Sequence, residues 1–322
     1  MAWLECQALA ELPWLVHAFS TREGGVSHAP CAGLNLSFTE SDQRERVEEN
    51  RRRFRAETGT KDFKWATVRQ VHSSHSFVVS RAGTGELRYE PAGGALSTPA
   101  DPLAPAATRG PAAEAAVAAP PMPTLAPAGD AVMTREPGVL LSVRIADCLP
   151  VLLVDPERRA IAAVHAGWRG ALARILEKAV GDLRQAFGSD PGQVIAALGP
   201  SIRACCYDVG EEVVEAFHGR FGDAGRSFHT LPRPVGAGSH NSKIPFLSPH
   251  PPEHAPEHVP AARLDLVAVA EVQLVNAGVK PSNILVADFC TACRTDLFFS
   301  HRKEGARTGR QMAAIGIVSL NH

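Results

Sequence analysis

The sequence predicts a fold of mixed α and β structure. Short apolar runs rich in β-branched residues alternate along the chain with segments in which apolar residues recur at helical spacing. The length of 322 residues allows one large domain or two modest ones, with a sizeable core in either case. Spacing alone leaves the order of the strands open.

The predicted elements follow one another as strands and helices through most of the chain. Five short apolar runs are predicted as strands, at residues 140–143, 151–154, 160–164, 194–198 and 284–287. Three segments are predicted as helices, at residues 172–187, 209–217 and 264–277. Gly188 and Gly278 end the first and third helices. The segment 297–318 is predicted as two strands joined by a turn around Gly305 and Gly309.

Two segments differ in composition from the rest of the chain. Residues 91–128 contain 14 Ala and 9 Pro, and residues 233–262 contain 7 Pro and 4 His. Both are predicted to be low-complexity insertions. The first buries too little apolar surface to offset the entropy lost on ordering, so we expect it to be disordered or loosely packed. Because frequent Pro prevents a rigid ligand geometry, the four histidines of the second are not expected to form a metal site.

Charge and cysteine content argue against several classes of function. Lys and Arg number 33 against 34 Asp and Glu, so the chain lacks the basic surface that nucleic-acid binders need. No apolar stretch approaches the roughly 18 residues that span a bilayer. The first basic residue is Arg22, which argues against a secretory signal. Seven scattered cysteines do not form a disulfide framework, and they favour a reducing cytoplasm.

Three residues with metal-binding side chains lie at predicted strand ends or tight turns. His72 follows a short β-like run, Cys148 lies between two apolar strands, and His165 ends a strand where a helix starts. Two imidazoles and one thiolate suit Zn²⁺, and three protein ligands leave a fourth position open for water. An open position lowers the pKa of bound water to about 7, which gives a nucleophile at neutral pH.

The same three residues admit two other interpretations, because they are far apart in the sequence. They could be separate structural residues, namely one core cysteine and two hydrogen-bonded histidines. Alternatively, Cys148 is a nucleophile and His165 is its base, as in a thiol hydrolase that needs no metal.

The segment after His165 has the composition of an anion site. Gly167 and Arg169 lie at the predicted start of a helix, where free N–H groups and the helix dipole favour an anion. Arg169 would add a charge-assisted hydrogen bond to a phosphate or a carboxylate. The alternative is a tight strand-to-helix turn, in which Trp168 packs and Arg169 is solvated.

Cys290 and Cys293 form a C-x-x-C motif, but the chain has no second pair at the spacing of a zinc ribbon. We therefore predict that these two cysteines are structural. The chain also lacks the sequence patterns of a phosphate-binding P-loop and of a dinucleotide-binding turn.

Many segments resemble, in the same order, the motifs of the YfiH/YlmD-type family. Its members carry the labels laccase-domain protein, multicopper polyphenol oxidase and purine nucleoside phosphorylase. The matching segments are 17–27, 33–37, 50–51, 70–72, 146–150, 165–170, 205–207, 209–210, 296–300 and 309–311. The resemblance covers essentially the whole chain, so it implies that residues 1–322 form a single domain of this type that carries both insertions.

The resemblance implies an α/β sandwich with mixed sheets, related in fold to deamidating bacterial toxins that use a Cys–His pair. It implies a Zn²⁺ ion, with Cu²⁺ as an alternative, held by His72, Cys148 and His165. It also places Arg51 near the substrate as a residue that binds phosphate. The implied reactions are phosphorolysis of adenosine, inosine, guanosine and methylthioadenosine, and deamination of adenosine. Purine nucleosides and phosphate are therefore the expected partners, and we expect a monomer or a homodimer.

Two other functions stay open on the same resemblance. The older label predicts a copper-dependent phenol oxidase, which needs several coppers held by many histidines, whereas one mononuclear cluster is apparent here. Relatives also carry the role of a Cys–His amidase or peptidoglycan editing factor. One departure concerns substrate preference, because Arg203 stands where the family often has a glycine.

Overall fold

The structure is a computed structural model that describes residues 3–83, 85–93, 126–222, 228, 241–242 and 262–318. Most of the predicted insertions at 91–128 and 233–262 lies outside the described residues, so the predictions for them stay predictions. The four histidines of the second insertion also lie outside.

The strands form two sheets, and each sheet mixes parallel and antiparallel pairs. Strands are numbered in chain order. The first sheet contains, in spatial order, β11 (Asn241–Ser242), β1 (Trp3–Glu5), β2 (Leu15–Ser20), β13 (Gln311–Ile317), β7 (Val139–Ile145) and β3 (Lys64–Thr67). The second contains β12 (Ile284–Val286), β10 (Ile195–Leu198), β8 (Leu149–Asp155), β9 (Ala160–Ala166), β6 (Ala131–Thr134), β4 (Ser76–Arg81) and β5 (Leu87–Pro91). The parallel pairs are β3 with β7, β4 with β6, and β10 with β12.

The helices lie between these strands in the sequence. They are α1 (Gln7–Ala10), α2 (Arg44–Glu57), α3 (Trp168–Leu172), α4 (Ile175–Phe187), α5 (Glu211–Phe221), α6 (Leu266–Asn276) and α7 (His301–Glu304). Among the described residues, no helix combines the length and the apolar character that crossing a membrane requires.

The two sheets pack face to face because the central strands are apolar on both sides. In β8 and β9, Leu152 and Ile161 pack into the core between the sheets, whereas Leu153 and Ala162 pack into the core under the helices. Neighbouring residues of a strand point to opposite faces, so a continuous apolar run supplies two cores. This explains why both strands read as unbroken apolar runs in the sequence.

Helices cover the outer faces of both sheets. Phe54 of α2 packs with Leu140 and Ala314 of the first sheet, and α4 and α6 pack on the second sheet. The chain is therefore a single α/β sandwich with two mixed sheets, as predicted. The five predicted strands and the helices at 209–217 and 264–277 are confirmed within a few residues.

The predicted helix 172–187 is confirmed as α4, which begins at Ile175, because a left-handed Arg174 separates it from the short helix α3. One predicted element differs from the structure. The prediction of two strands in 297–318 was wrong, since this segment contains the short helix α7 and then only β13. The Oγ of Ser300 accepts a hydrogen bond from the N–H of Lys303, and Gly305 follows α7 with a φ of 85°. These are ordinary start and stop signals of a helix.

Candidate metal centre

Asp130, directly before β6, fixes the orientation of His165 near the end of β9. The Nδ1 of His165 lies 2.8 Å from Oδ1 of Asp130, and both side chains are buried. Because a carboxylate accepts hydrogen bonds, this contact places the ring proton on Nδ1. The Nε2 of His165 is thereby directed to Cys148, with which the imidazole shares a hydrogen bond.

The loop that carries His72 folds around the same carboxylate. The backbone N–H groups of residues 71–73 all donate to Asp130, so one buried anion positions both histidines. The φ of His72 is 59°, a left-handed conformation that costs a non-glycine residue on the order of 1 kcal/mol. The exposed imidazole of His72 lies edge-on to that of His165, with 4.9 Å between the ring centroids.

Cys148 follows Asp147 in the tight turn between β7 and β8. The φ of Asp147 is 92°, so this turn is also strained. The Asp147 carboxylate accepts hydrogen bonds from Oγ1 of Thr291 at 2.7 Å and from the N–H of Arg302 at 2.6 Å. These contacts hold the turn in a position where Sγ of Cys148 lies 3.8 Å from Nε2 of His72.

The three side chains that were predicted as metal ligands meet at one point. One ligand atom from each of His72, Cys148 and His165 lies within 4.8 Å of the other two. Metal bonds of roughly 2.0–2.3 Å can join donors at such separations to a single ion. The set of two imidazoles and one thiolate therefore fits a divalent ion of the zinc type.

The neighbouring charges favour the thiolate form of Cys148. Burial by itself would raise the pKa of Cys148, but the charge of His165 and hydrogen bonds from both histidines outweigh it and lower this pKa to about 6. Burial would lower the pKa of His165, whereas the Cys148 thiolate and Asp130 raise it to about 9. A thiolate is the form of cysteine that binds metals and attacks electrophiles.

Gly167 is adjacent to this cluster, and a side chain there would enter it. A Cβ atom on Gly167 would lie 2.7 Å from Cδ2 of His72 and 3.1 Å from Sγ of Cys148. Gly167 is also the residue before the first turn of α3, as predicted. Since α3 has only five residues, the close packing explains the glycine better than a helix dipole does.

The cluster lies in the wall of a cavity of about 410 Å³, a size that suits a small molecule. Apolar and aromatic side chains line part of it, including Trp168, Ile202, Tyr207 and Leu266. Its basic side chains are those of Arg144, Arg169, Arg302 and Arg310, with His301. The cavity thus combines a surface for a flat apolar group with a surface for an anion.

Two of these arginines, Arg144 and Arg310, are close enough for their charges to interact. Burial and the charge of Arg310 lower the pKa of Arg144, and burial also lowers the pKa of Arg310. No salt bridge joins either side chain to a residue that the structure describes. Their hydrogen bonds go to neutral oxygens, for example from Nη1 of Arg310 to the carbonyl of Thr308 at 2.6 Å. Such a pair attracts an anion.

Arg51, by contrast, is not among the residues that line the cavity. Its guanidinium lies over the rings of Phe38 at 4.2 Å and Trp65 at 4.9 Å, and its Nε donates to the carbonyl of Leu36. Burial and the nearby charge of Arg144 lower the pKa of Arg51 to about 10. The structure therefore brings Gly167 to the cluster and Arg169 to the wall of the cavity, whereas Arg51 does not line the cavity.

Sequence reasoning missed Asp130 and Arg144. Asp130 follows Gly129 and precedes the short apolar run of β6, which was not predicted as a strand, so a lone acidic residue before an apolar run was the available signal. Arg144 is a charge inside the apolar run of β7 and could have been noticed for that reason. Arg310 lies in the segment 309–311, which the family resemblance already included.

A protein-family model described as "Multi-copper polyphenol oxidoreductase laccase" matches residues 16–318 of the chain. A curated relative, "Purine nucleoside phosphorylase YlmD" of Geobacillus stearothermophilus, is 30% identical over 98% of this chain and 94% of its own length. "Adenosine deaminase RL5", from an unknown prokaryotic organism, is 35% identical over 58% of this chain and 61% of its own length.

The fold also matches a solved structure over its full length. The crystal structure of YlmD from Geobacillus stearothermophilus superposes with a TM-score of 0.71 at 28% sequence identity. The match covers 99% of this chain and 97% of that one. The two-sheet sandwich is therefore shared over almost the whole of both chains.

Proposed function

The chain belongs to the family described as multi-copper polyphenol oxidoreductase laccase. Because curated relatives are named purine nucleoside phosphorylase, we propose that this chain is a zinc-dependent purine nucleoside phosphorylase. We infer that it acts on adenosine, inosine, guanosine and methylthioadenosine, and that it also deaminates adenosine. One observation carries the proposal: His72, Cys148 and His165 converge in the wall of a cavity that holds both arginines and aromatic rings.

His72, Cys148 and His165 would hold the zinc ion. When bound there, zinc supplies Lewis acidity, which polarises an oxygen atom or lowers the pKa of a water molecule. Asp130 keeps the proton on Nδ1 of His165, so that Nε2 stays free as a ligand. Cys148 contributes a negative charge that offsets part of the charge of the ion.

The basic side chains of the cavity would bind phosphate. Arg144, Arg169 and Arg310 line the cavity, and each guanidinium can give charge-assisted hydrogen bonds to phosphate oxygens. Gly167 leaves room for the anion beside the cluster. Arg51, whose charge interacts with that of Arg144, would add positive potential to the same surface.

The aromatic rings would hold the purine. Tyr207 and Trp168 offer flat surfaces, while Ile202 and Leu266 add apolar contact. Burial and the charge of Cys148 raise the pKa of Tyr207, so its hydroxyl stays protonated and can donate to a purine nitrogen.

In phosphorolysis a phosphate oxygen bonds to C1′ of the ribose, the C1′–N9 bond breaks, and the purine leaves with a proton. In deamination water adds at C6 and ammonia leaves.

The decisive test measures adenine, inosine and hypoxanthine released from adenosine, with and without phosphate. The wild-type protein should release adenine only with phosphate and should form inosine without it. Cys148→Ala should abolish both reactions. Cys6→Ala is the matched control, because Cys6 is buried outside the cavity, and it should keep both. Unchanged turnover in Cys148→Ala would remove the proposal.

One observation favours a second candidate, a Cys–His amidase. Cys148, His165 and Asp130 are arranged as a nucleophile, a base and a carboxylate that orients the base. For this function, activity on an amide substrate should survive thorough chelation and be lost on alkylation of Cys148. Nucleoside turnover that disappears on chelation and returns with zinc would exclude it as the main activity.

The copper oxidase suggested by the family description has less support. Among the residues that the structure describes, only one candidate metal cluster contains histidine, and oxygen reduction by several coppers needs more. Several coppers per chain together with phenol turnover would favour it.

We also propose a cytoplasmic location, which agrees with the seven cysteines, because none of them forms a disulfide.

A further inference from the structure

Four cysteines from two distant parts of the chain form a second cluster, away from the histidines. We propose that Cys205, Cys206, Cys290 and Cys293 form a closed tetrathiolate site that binds a structural Zn²⁺ ion. The Sγ atoms of the four residues all lie within 4.8 Å of one another. A set of four thiolates leaves no position open, which is typical of structural and not of catalytic zinc.

The distances between the sulfur atoms fit one central ion. The Sγ of Cys293 lies 3.6 Å from that of Cys205 and 3.3 Å from that of Cys206. Sulfur atoms bound tetrahedrally to zinc at about 2.3 Å are about 3.8 Å apart. A disulfide would need about 2.05 Å between two of them, and none of the four residues forms a disulfide.

The cluster joins the loops that follow two neighbouring strands. Residues 199–207 follow β10, and residues 287–294 follow β12, its parallel neighbour. The two loops already touch, because the N–H of Thr291 donates to the carbonyl of Ser201 at 3.0 Å. The backbone N–H of Arg203 points to Sγ of Cys290 at 3.5 Å. Such N–H···S contacts offset the negative charge of a zinc–thiolate group.

The arrangement supplies the second pair of cysteines that the C-x-x-C motif lacks in the sequence. Cys290 and Cys293 form the C-x-x-C that had no second pair at the spacing of a zinc ribbon. The missing half is the adjacent pair Cys205 and Cys206, which a turn at residues 204–206 presents to it. Metal binding would release the thiol protons to solvent and would couple the folding of both loops to the ion.

The proposed ion would also support the turn that carries Cys148. The N–H of Ile202 donates to the carbonyl of Asp147 at 2.8 Å, and Oγ1 of Thr291 donates to the Asp147 carboxylate. One donor thus comes from each of the loops that the cysteines would join. This site does not depend on the proposed nucleoside chemistry, since it would bind metal whatever the cavity does.

The test is elemental analysis of the full-length protein, reconstituted with zinc under reducing conditions. The wild-type protein should bind two zinc ions per chain, Cys148→Ala one and Cys293→Ser one. Cys6→Ser, in a buried cysteine outside both clusters, should still bind two. Zinc loss from Cys293→Ser should be accompanied by a lower melting temperature than that of Cys148→Ala.

A second measurement leaves the four cysteines intact, in case Cys293→Ser does not fold. In Cys148→Ala, mass spectrometry should show that these four thiols resist N-ethylmaleimide until a chelator is added. Cobalt(II) in the same variant should give the strong charge-transfer absorption of a tetrathiolate ion. Three results would each overturn the assignment. They are the absence of bound metal in Cys148→Ala, a disulfide among the four residues of the reduced protein, and iron bound in place of zinc.

Discussion

The Oδ1 of Asp130 lies 2.8 Å from Nδ1 of His165, and the same carboxylate accepts three backbone N–H groups from the loop of His72. The two histidines belong to segments that are far apart in sequence, so a single buried anion aligns both. Burial would raise the pKa of Asp130, but the contacts with His165 and Ser73 lower it, which keeps the carboxylate charged.

We therefore predict that Asp130→Asn weakens zinc binding by about 10–100-fold, the usual effect of losing the hydrogen-bond partner of a ligating histidine. The amide is nearly isosteric but neutral, and it no longer favours the proton on Nδ1. Competition with a chromogenic chelator measures the affinity. Asp190→Asn is the control, because Asp190 belongs neither to the cluster nor to the cavity lining and its carboxylate accepts a hydrogen bond from the N–H of Gly192. Equal zinc affinity in both variants would contradict the role given to Asp130.

The position of Gly167 leads to a second prediction. Its Cβ atom would lie 2.7 Å from Cδ2 of His72, so Gly167→Ala should displace this ring and reduce both zinc affinity and turnover at least tenfold. Gly181→Ala is the matched control, since an added Cβ in this exposed helical position meets nothing within 4 Å. That variant should be more stable by about 1 kcal/mol. Normal turnover in Gly167→Ala would show that activity does not depend on the position of the His72 imidazole.

The arrangement of the arginines separates a direct from an indirect role in phosphate binding. Arg144 lines the cavity, whereas Arg51 does not, and its guanidinium lies over the rings of Phe38 and Trp65. A charge-assisted hydrogen bond contributes about 1.5–3 kcal/mol, so Arg144→Gln should raise the KM for phosphate about 10–150-fold. Arg51→Gln should raise it less. Deamination, which uses no phosphate, should change little in either variant.

Initial rates at varied phosphate concentration, with the deamination rate measured in parallel, check this prediction. A larger effect of Arg51→Gln would mean that Arg51 contacts phosphate itself. An equal loss of both reactions in Arg144→Gln would mean that this residue holds the nucleoside or the fold, and not the phosphate.

The sequence predicted features that depend on a few neighbouring residues. It did not predict features that depend on which strands pair with each other in the fold. Runs such as those of β8 and β9 predicted their own strands, because an apolar strand is recognisable from a few residues. The side chains of His72, Cys148 and His165 were recognisable as ligands from their donor atoms alone.

Contacts between distant segments could not be predicted in the same way. Asp130 matters because β6 lies next to β9 in the sheet, and strand order does not follow from spacing. For the same reason Cys205 and Cys206 did not appear as partners of the C-x-x-C, since only the parallel pairing of β10 and β12 brings the two loops together. The start of α7 was missed because the apolar residues 297–299 suggested a strand.

The final prediction concerns Tyr207, whose ring lines the cavity and lies 5.2 Å from the guanidinium of Arg302. If the ring stacks on the purine, Tyr207→Leu should raise the KM for adenosine about 5–150-fold, since stacking of a base on an aromatic side chain contributes about 1–3 kcal/mol. Tyr207→Phe keeps the ring, so the KM should stay near the wild-type value.

The role of the Tyr207 hydroxyl as a proton donor is tested by kcat for deamination and not by the KM for adenosine. Since its pKa is raised, Tyr207 remains protonated at neutral pH, and Tyr207→Phe should lower kcat for deamination if this proton reaches the substrate. Tyr89→Phe is the matched control, because Tyr89 is the other tyrosine of the chain and its hydroxyl contacts the N–H of Thr67 outside the cavity. An unchanged KM in Tyr207→Leu would place the purine elsewhere in the cavity.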